Sequence, residues 1–312
     1  MQAPVLFLGE TLVDLICERP VDDWSQADSF VRHFGGAPTN AAVTAARCGA
    51  SVALAGGVGD DHWGRWLEMS LLSERVDLRW WRRLPGVQTG VAFDVLDAHG
   101  VPDYLIYGQG IELALEALEP EIEDAVSACG ALYLGSNTLL GEHEREISER
   151  ARKLALAQGK PLIVDINLRP RRWESPALAA ETVRKLCTDA FLLKVSKAEA
   201  LLLTGTSEND PALLAEAISS EFGARIVVVT FGAEGALVRG EAVADVPGVV
   251  ASVVDTTGAG DVLLGVLAAA LASADFDPSA VARALPLAVS TAARSTESYG
   301  AFDALAPTID IG

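Results

Sequence analysis

The chain has 312 residues, half of them hydrophobic, and its 43 acidic against 24 basic side chains leave a formal net charge of −19. Such a length supports a sizeable core, while a charged fraction of 21% argues against wholesale disorder. So acidic a surface repels nucleic acid and anionic membranes, and an anionic substrate then needs a locally built site.

In chain order, residues 1–4 carry no basic region ahead of an apolar run, so no secretory signal is expected. A short apolar run at 5–8, stopped by Gly9, predicts a buried strand. An alanine-rich helix is expected at 38–48, entered through Gly35-Gly36, then a strand at 52–55 and an amphipathic helix at 64–74. Segments 79–84, 91–96 and 104–107 suggest a small antiparallel sheet standing off the main body. Beyond residue 112, strand-like runs at 131–134, 162–165, 191–194 and 226–230 alternate with helical segments at 142–158, 177–187 and 211–221. That alternation implies an α/β fold with a mostly parallel sheet covered on both faces. A hairpin at 236–246, a buried helix after 261 and a last helix at 278–294 complete the expectation. Its longest apolar stretch, 262–272, falls short of the roughly 20 residues needed to span a bilayer. Cys17, Cys48, Cys129 and Cys187 are scattered, as are His33, His62, His99 and His143, so neither a zinc site nor a disulfide framework is expected. Buried thiols in a reducing cytoplasm are the simplest account.

Chemistry concentrates at Asp255-Thr256-Thr257-Gly258-Ala259-Gly260-Asp261. Glycine lets backbone approach backbone, so the N–H groups of Gly258, Ala259 and Gly260 can converge on one anion at the positive end of a helix. Lysine is confined to Lys153, Lys160, Lys185, Lys194 and Lys197, so phosphate binding is expected to lean on such a backbone trap, with a few arginines helping. A carboxylate beside an anion trap is a conflict unless Asp261 faces a second substrate and takes a proton from its hydroxyl. Taken alone the segment is also a plain helix start, with Thr257 as N-cap and Asp261 favoured by the dipole. Other polar residues fall after expected strands: Asp14, the run Asp165-Asn167-Arg169, Ser196 with Glu199, and Thr230 with Gly232. Ligands of open α/β sheets sit there. No Gly-x-x-x-x-Gly-Lys-Ser/Thr, dinucleotide fingerprint, Gly-x-Ser-x-Gly or His-Glu-x-x-His is present.

The chain resembles the ribokinase-like carbohydrate kinases, or phosphofructokinase-B family. Gly35-Gly36-Ala37-Pro38-Thr39-Asn40-Ala41-Ala42 and Gly56-Gly57-Val58-Gly59-Asp60-Asp61-x-x-Gly64 stand near one end and Asp255–Asp261 near the other. The resemblance implies a three-layer α/β/α fold, one domain over 1–312, with a β-sheet lid inserted at about 16–33 and 79–107. It implies transfer of the γ-phosphoryl group of ATP to a sugar hydroxyl, with Asp261 as base and Gly258, Ala259 and Gly260 as anion hole. Asp14, Gly35, Gly36 and Asn40 would hold the sugar, joined by Tyr107, Asn167 and Arg169. Ser196, Thr230, Gly232, Gly235, Gly258 and Gly260 would meet the nucleotide. Glu199 would act on Mg²⁺ indirectly; Asp255 and Thr257, with the loop 295–301, would hold potassium.

The stretch Asp165–Pro170 with Trp173 is similar to the fructokinase and 2-keto-3-deoxygluconate kinase branch, in which Arg169 could meet a substrate carboxylate or a phosphate oxygen. Two departures stand out: Ser196 replaces the family's Asn, and no arginine follows Tyr107-Gly108-Gln109. The second removes one carboxylate partner and turns the expectation toward a neutral sugar such as fructose. A 2-keto-3-deoxygluconate kinase, a nucleoside kinase and a non-catalytic sugar or nucleotide sensor remain the alternatives. Apolar lid residues Val91, Phe93 and Ile106 lead to an expected homodimer through the lid; neither nucleic acid nor membrane is an expected partner.

Overall fold

Strands that read as continuous apolar runs must be covered on both faces. The computed structural model describes residues 2–312; Met1 and the side chain of Arg171 lie outside the described residues. Its strands are β1 (Val5–Leu8), β2 (Leu12–Pro20), β3 (Val31–Gly35), β4 (Val52–Gly59), β5 (Trp81–Leu84), β6 (Val91–Leu96), β7 (Pro102–Tyr107), β8 (Ala131–Gly135), β9 (Leu162–Asp165), β10 (Leu192–Ser196), β11 (Ile226–Thr230), β12 (Gly235–Gly240) and β13 (Ala244–Pro247). The helices are α1 (Ala37–Arg47), α2 (His62–Ser73), α3 (Gly110–Leu118), α4 (Ile122–Ala128), α5 (Glu142–Ala157), α6 (Pro176–Cys187), α7 (Lys197–Thr204), α8 (Pro211–Phe222), α9 (Ala259–Ser273) and α10 (Ser279–Ser295).

Nine strands form one sheet in the order β13-β12-β11-β10-β9-β8-β1-β4-β5. From β11 to β5 the pairings are parallel, and β12 and β13 add an antiparallel edge. Alternation along each strand divides its side chains between two cores. Phe7, Tyr133 and Val228 face a core shared with α1, α9 and α10; Leu6, Leu132 and Val227 face one shared with α5, α6 and α8. The buried helix expected after residue 261 is α9, buried from Asp261 to Ala272 and packed between α1 and α10. Its Gly265 permits close approach to α1: a Cβ there would meet the Ala41 carbonyl oxygen at 2.6 Å.

The second sheet has the order β3-β2-β6-β7. Two expectations about it need correction. Segment 79–84 does not belong to it, because β5 pairs in parallel with β4 at the edge of the large sheet. An edge strand is covered on one side only, so its half-buried pattern imitates that of a free-standing antiparallel strand. Nor is the small sheet purely antiparallel, since β2 and β6 run parallel. Its first strand begins at Leu12, ahead of the expected insertion, which puts Asp14 on the sheet. Helices α3, α4 and α7 were not among the expected elements.

Candidate active site

A cavity of about 1240 Å³ opens where the carboxyl ends of the parallel strands meet the small sheet and the start of α9. It lies where an open α/β sheet places its ligands. Asp14, Gly36, Asn40, Asn167, Arg169, Ser196, Glu199, Thr230, Gly232, Gly235, Thr257, Gly258, Ala259, Gly260 and Asp261 all line it. Residues spread over almost 250 positions of sequence are thus brought to one space.

At the α9 end, Gly258 is the N-cap, with φ 74° in the left-handed region. A Cβ there would also stand 2.7 Å from that of Ala301, so both torsion and space ask for glycine. Among the described residues, the N–H groups of Gly258 and Gly260 have no protein acceptor, and that of Ala259 reaches only the Thr256 carbonyl at 3.4 Å. These are the unsatisfied donors of a helix start, pointed at by no side-chain cap. Thr257 does not cap the helix.

Asp261 sits in the first turn, 8% exposed, with Oδ2 accepting a 3.0 Å hydrogen bond from Asn40 Nδ2. Burial, helped by the Asp165 carboxylate and opposed by the Lys194 ammonium, the Asn40 hydrogen bond and the Arg169 guanidinium, pushes its pKa up to about 7. A buried acid poised near neutrality is suited to accept a proton. Lys194 is the nearest cation that sequence reasoning passed over. Its Nζ donates to Asp165 Oδ1 at 3.0 Å, and a Cβ on Gly260 would stand 2.7 Å from it. The signal was legible: a lysine inside the buried strand Leu-Leu-Lys-Val-Ser needs a buried partner.

The small sheet supplies the opposite wall. Leu12 and Asp14 of β2, Ala92 and Asp94 of β6, and Pro102, Tyr104 and Ile106 of β7 line the cavity, so its even-numbered residues face inward. Tyr107, expected at the substrate, lies on the other face by the same period: it is 58% exposed and packs edge-on against Phe93. Tyr104 takes the inward place, under the Arg169 guanidinium at 5.6 Å. Ile106 likewise faces the cavity rather than the outside, where Leu105 and Tyr107 are the exposed apolar residues of β7. Gly35 does not line the cavity; a Cβ on it would come within 2.4 Å of Asp14 Oδ1, so its part is to leave room for that carboxylate. Asp94, absent from the sequence expectations, is a lone acid at an inward position of an apolar strand, and that position was its signal. Burial, with the Asp255 charge, raises its pKa to about 7, against the pull of Arg169. Burial and the Asp94, Asp255 and Asp261 charges hold Asp14 well above the ordinary carboxylate range.

The far end is formed by Thr230–Ala233, Gly248–Ala251 and the α10 residues Val289, Ala292 and Ala293. Ser196 caps α7 reciprocally with Glu199: Ser196 Oγ accepts from the Glu199 N–H at 3.3 Å while Glu199 Oε2 accepts from the Ser196 N–H at 2.7 Å. Glu199 Oε1 accepts from Leu168 N–H at 2.7 Å and so steadies the loop in which Asn167 adopts φ 38°. Both Glu199 oxygens are therefore engaged, and no cluster of three acidic, histidine or cysteine side chains able to hold a metal ion occurs among the described residues. With both oxygens so engaged, Glu199 would meet a divalent ion through ordered water rather than as a direct ligand. Asp255 does not line the cavity. It is fully buried, and its oxygens accept from the N–H groups of Thr257 and Gly300, each at 2.8 Å. Among the described residues, Thr257 Oγ1 and, in the Gly300 loop, Ser298 Oγ are buried without a partner. A buried carboxylate with orphaned hydroxyls on its neighbouring segments is a donor set suited to a monovalent cation.

Comparison with known proteins agrees with this geometry. Residues 2–309 match the family described as pfkB family carbohydrate kinase. Fructokinase-1 of Oryza sativa subsp. japonica is 30% identical over 269 residues, covering 84% of this chain and 81% of the relative. The crystal structure of fructokinase from Vibrio cholerae O395 in fructose-, ADP- and calcium-bound form superposes with a TM-score of 0.81 at 29% identity, over 97% of this chain and 96% of that one. That of fructokinase from Xylella fastidiosa with bound ATP gives a TM-score of 0.81 at 25% identity, over 98% and 95%. With the trap at α9 facing a buried acid, these likenesses mark a fructokinase-like sugar kinase, a phosphotransferase with a hydroxyl acceptor. The chain belongs to the pfkB family of carbohydrate kinases.

Proposed function

We propose that the protein transfers the γ-phosphoryl group of ATP to a hydroxyl of a neutral ketohexose, fructose being the first candidate. The observation that carries this is the meeting of Asp261, Asn40 and the unpaired amides of Gly258 and Gly260 in one cavity. Asp261 accepts the proton of the attacking hydroxyl, and Asn40 holds the carboxylate in place. The amides at the start of α9 stabilise charge developing on the transferred group, as phosphoryl transfer requires positioning and electrostatics above all. Asp14, Gly36, Asn40, Asn167 and Arg169 line the acceptor end, and Ser196, Thr230, Gly232 and Gly235 the nucleotide end. Mg²⁺, bound with the nucleotide, would neutralise phosphate charge, and Glu199 would order its waters. Asp255, Thr257 and the 295–301 loop would hold a potassium ion, which would stiffen the trap from behind.

The small sheet acts as a lid on a single-domain kinase, excluding water that would otherwise receive the phosphoryl group. Its outward apolar residues, Val31, Leu105 and Tyr107, are exposed by 45%, 49% and 58%, and pairing of two lids in a homodimer would cover them; light scattering at micromolar concentration gives twice the chain mass if so. No helix among the described residues is long and apolar enough to cross a membrane, and four free buried cysteines suit the cytoplasm. Coupled ADP release with fructose, ribose, 2-keto-3-deoxygluconate and adenosine tests the central claim: turnover is expected with fructose, and turnover with adenosine alone would replace it by a nucleoside kinase.

A further inference from the structure

Two acids from the small sheet project into the acceptor end, and the family motifs account for only one of them. Asp14 and Ala92 are opposite each other across β2 and β6, so Asp94 is the diagonal neighbour of Asp14 on the same inward face. Asp94 is 4% exposed, and among the described residues its Oδ2 is buried with no hydrogen-bond partner. A carboxylate oxygen withdrawn from water without a donor is costly unless a ligand supplies one. A second orphan points the same way. Asn40 must turn Nδ2 toward Asp261, which leaves its Oδ1 buried and unpaired in the same cavity. This wall therefore offers acceptors and asks its ligand for donors. Hydroxyl groups donate; an ionised carboxylate does not, so it would leave both buried acceptors unpaired.

Arg169 does not reverse that balance. Its charge acts on Asp14, Asp94, Asp165 and Asp261 together, and its guanidinium lies over the Tyr104 ring. With Lys194 already paired to Asp165, these two cations face four acids and leave no surplus of positive charge for a further carboxylate.

We propose that Asp94 is a specificity determinant of the acceptor end: with Asp14 it takes hydroxyl donors from an uncharged polyol and turns away sugars that bear a carboxylate. This rests on the acceptor sugar binding beside Asp14, as the proposed function has it. The test is calorimetric titration of the full-length protein with fructose and with 2-keto-3-deoxygluconate, for the wild type, Asp94→Asn and Asp94→Ala, alongside ADP release on the same samples. Wild type should bind fructose at least about 30-fold more tightly than the sugar acid, and Asp94→Asn should weaken fructose about tenfold while shrinking the ratio at least about fivefold. Asp94→Ala should move the ratio the same way, and it carries the test if the Asn variant does not fold. A merely structural Asp94 would change both affinities together and leave the ratio within twofold, which overturns the proposal; so does a wild type that prefers the acid. Tight fructose binding without ADP release would sink the kinase reading and leave the inference standing, whereas phosphorylation of the sugar acid in preference to fructose would do the reverse. Binding of neither sugar overturns both.

Discussion

The proposed phosphoryl and acceptor ends of the cavity touch at one hydrogen bond, Asn40 to Asp261, yet they are made from different parts of the chain. The proposed phosphoryl end is the start of α9, and its donors are the unpaired main-chain N–H groups of Gly258 and Gly260. The acceptor end is assembled from the small sheet, the start of α1 and the loop after β9, and it works through side chains: Asp14, Asp94, Asn40, Asn167 and Arg169. The chemistry common to all phosphoryl transfers can be built from backbone, which every sequence possesses. Discrimination among sugars needs side chains on elements free to vary, and it is there that, among the described residues, Asp94 Oδ2 stands buried without a protein donor.

Four experiments would break or sharpen that contrast. The largest effect is expected at the join. Asp261→Asn should lower kcat by about two to four orders of magnitude with ATP binding retained, the usual range for a lost general base; steady-state kinetics and nucleotide titration read both, and near-normal turnover would remove Asp261 from the mechanism. Lys194→Met should destabilise the fold by about 3–5 kcal/mol in denaturant melts, since it strands Asp165 as a fully buried charge. Adding Asp165→Asn should recover most of that loss. If the single variant is as stable as wild type, the pair is not a structural one.

A smaller effect comes from pH. The base must be unprotonated, and its pKa is about 7, so kcat/KM should fall about tenfold per pH unit below that value. Because Lys194 holds Asp261 down, the Lys194→Met/Asp165→Asn protein also tests direction: removing the cation raises the midpoint, removing the Asp165 charge lowers it, and the two should largely cancel. A flat profile between pH 6 and 8 would contradict the assignment. The smallest effect belongs to the acceptor end. The raised pKa of Asp94 means the native protein holds a proton the unfolded chain has released between about pH 4 and 7. Stability from this group is therefore present at low pH and lost as pH rises through about 7. Asp94→Asn should then stabilise the ligand-free protein by about 1–3 kcal/mol at pH 8, and by little at pH 5. Thermal melts at the two pH values check it; a destabilised variant at pH 8 would mean that Asp94 has a protein donor after all.

Much of this was legible before any coordinates. Continuous apolar runs such as Val5–Leu8 and Ile226–Thr230 are the sequence of doubly covered parallel strands, and Gly258-Ala259-Gly260-Asp261 before an unbroken apolar helix is a local pattern complete in itself. Less legible were features that depend on which neighbour a segment finds. Nothing within 79–84 says that it will pair with β4 rather than with β6. Tyr107 and Tyr104 differ by three positions, and only the register of β7 against β6 sends one outward and the other under Arg169. Asp94 is an ordinary acid until β2 brings Asp14 alongside.

Residue order along the chain determined the alternating layers, the unpaired amides at the start of α9 and the acid beside them, because strand burial and helix starts are short-range consequences of side-chain pattern and glycine torsion. Tertiary structure alone decided which acids share the acceptor end and which cation balances them. Carboxylate charge and unmet hydrogen bonds acquire their energies only when burial removes water, and burial is a property of the assembled fold.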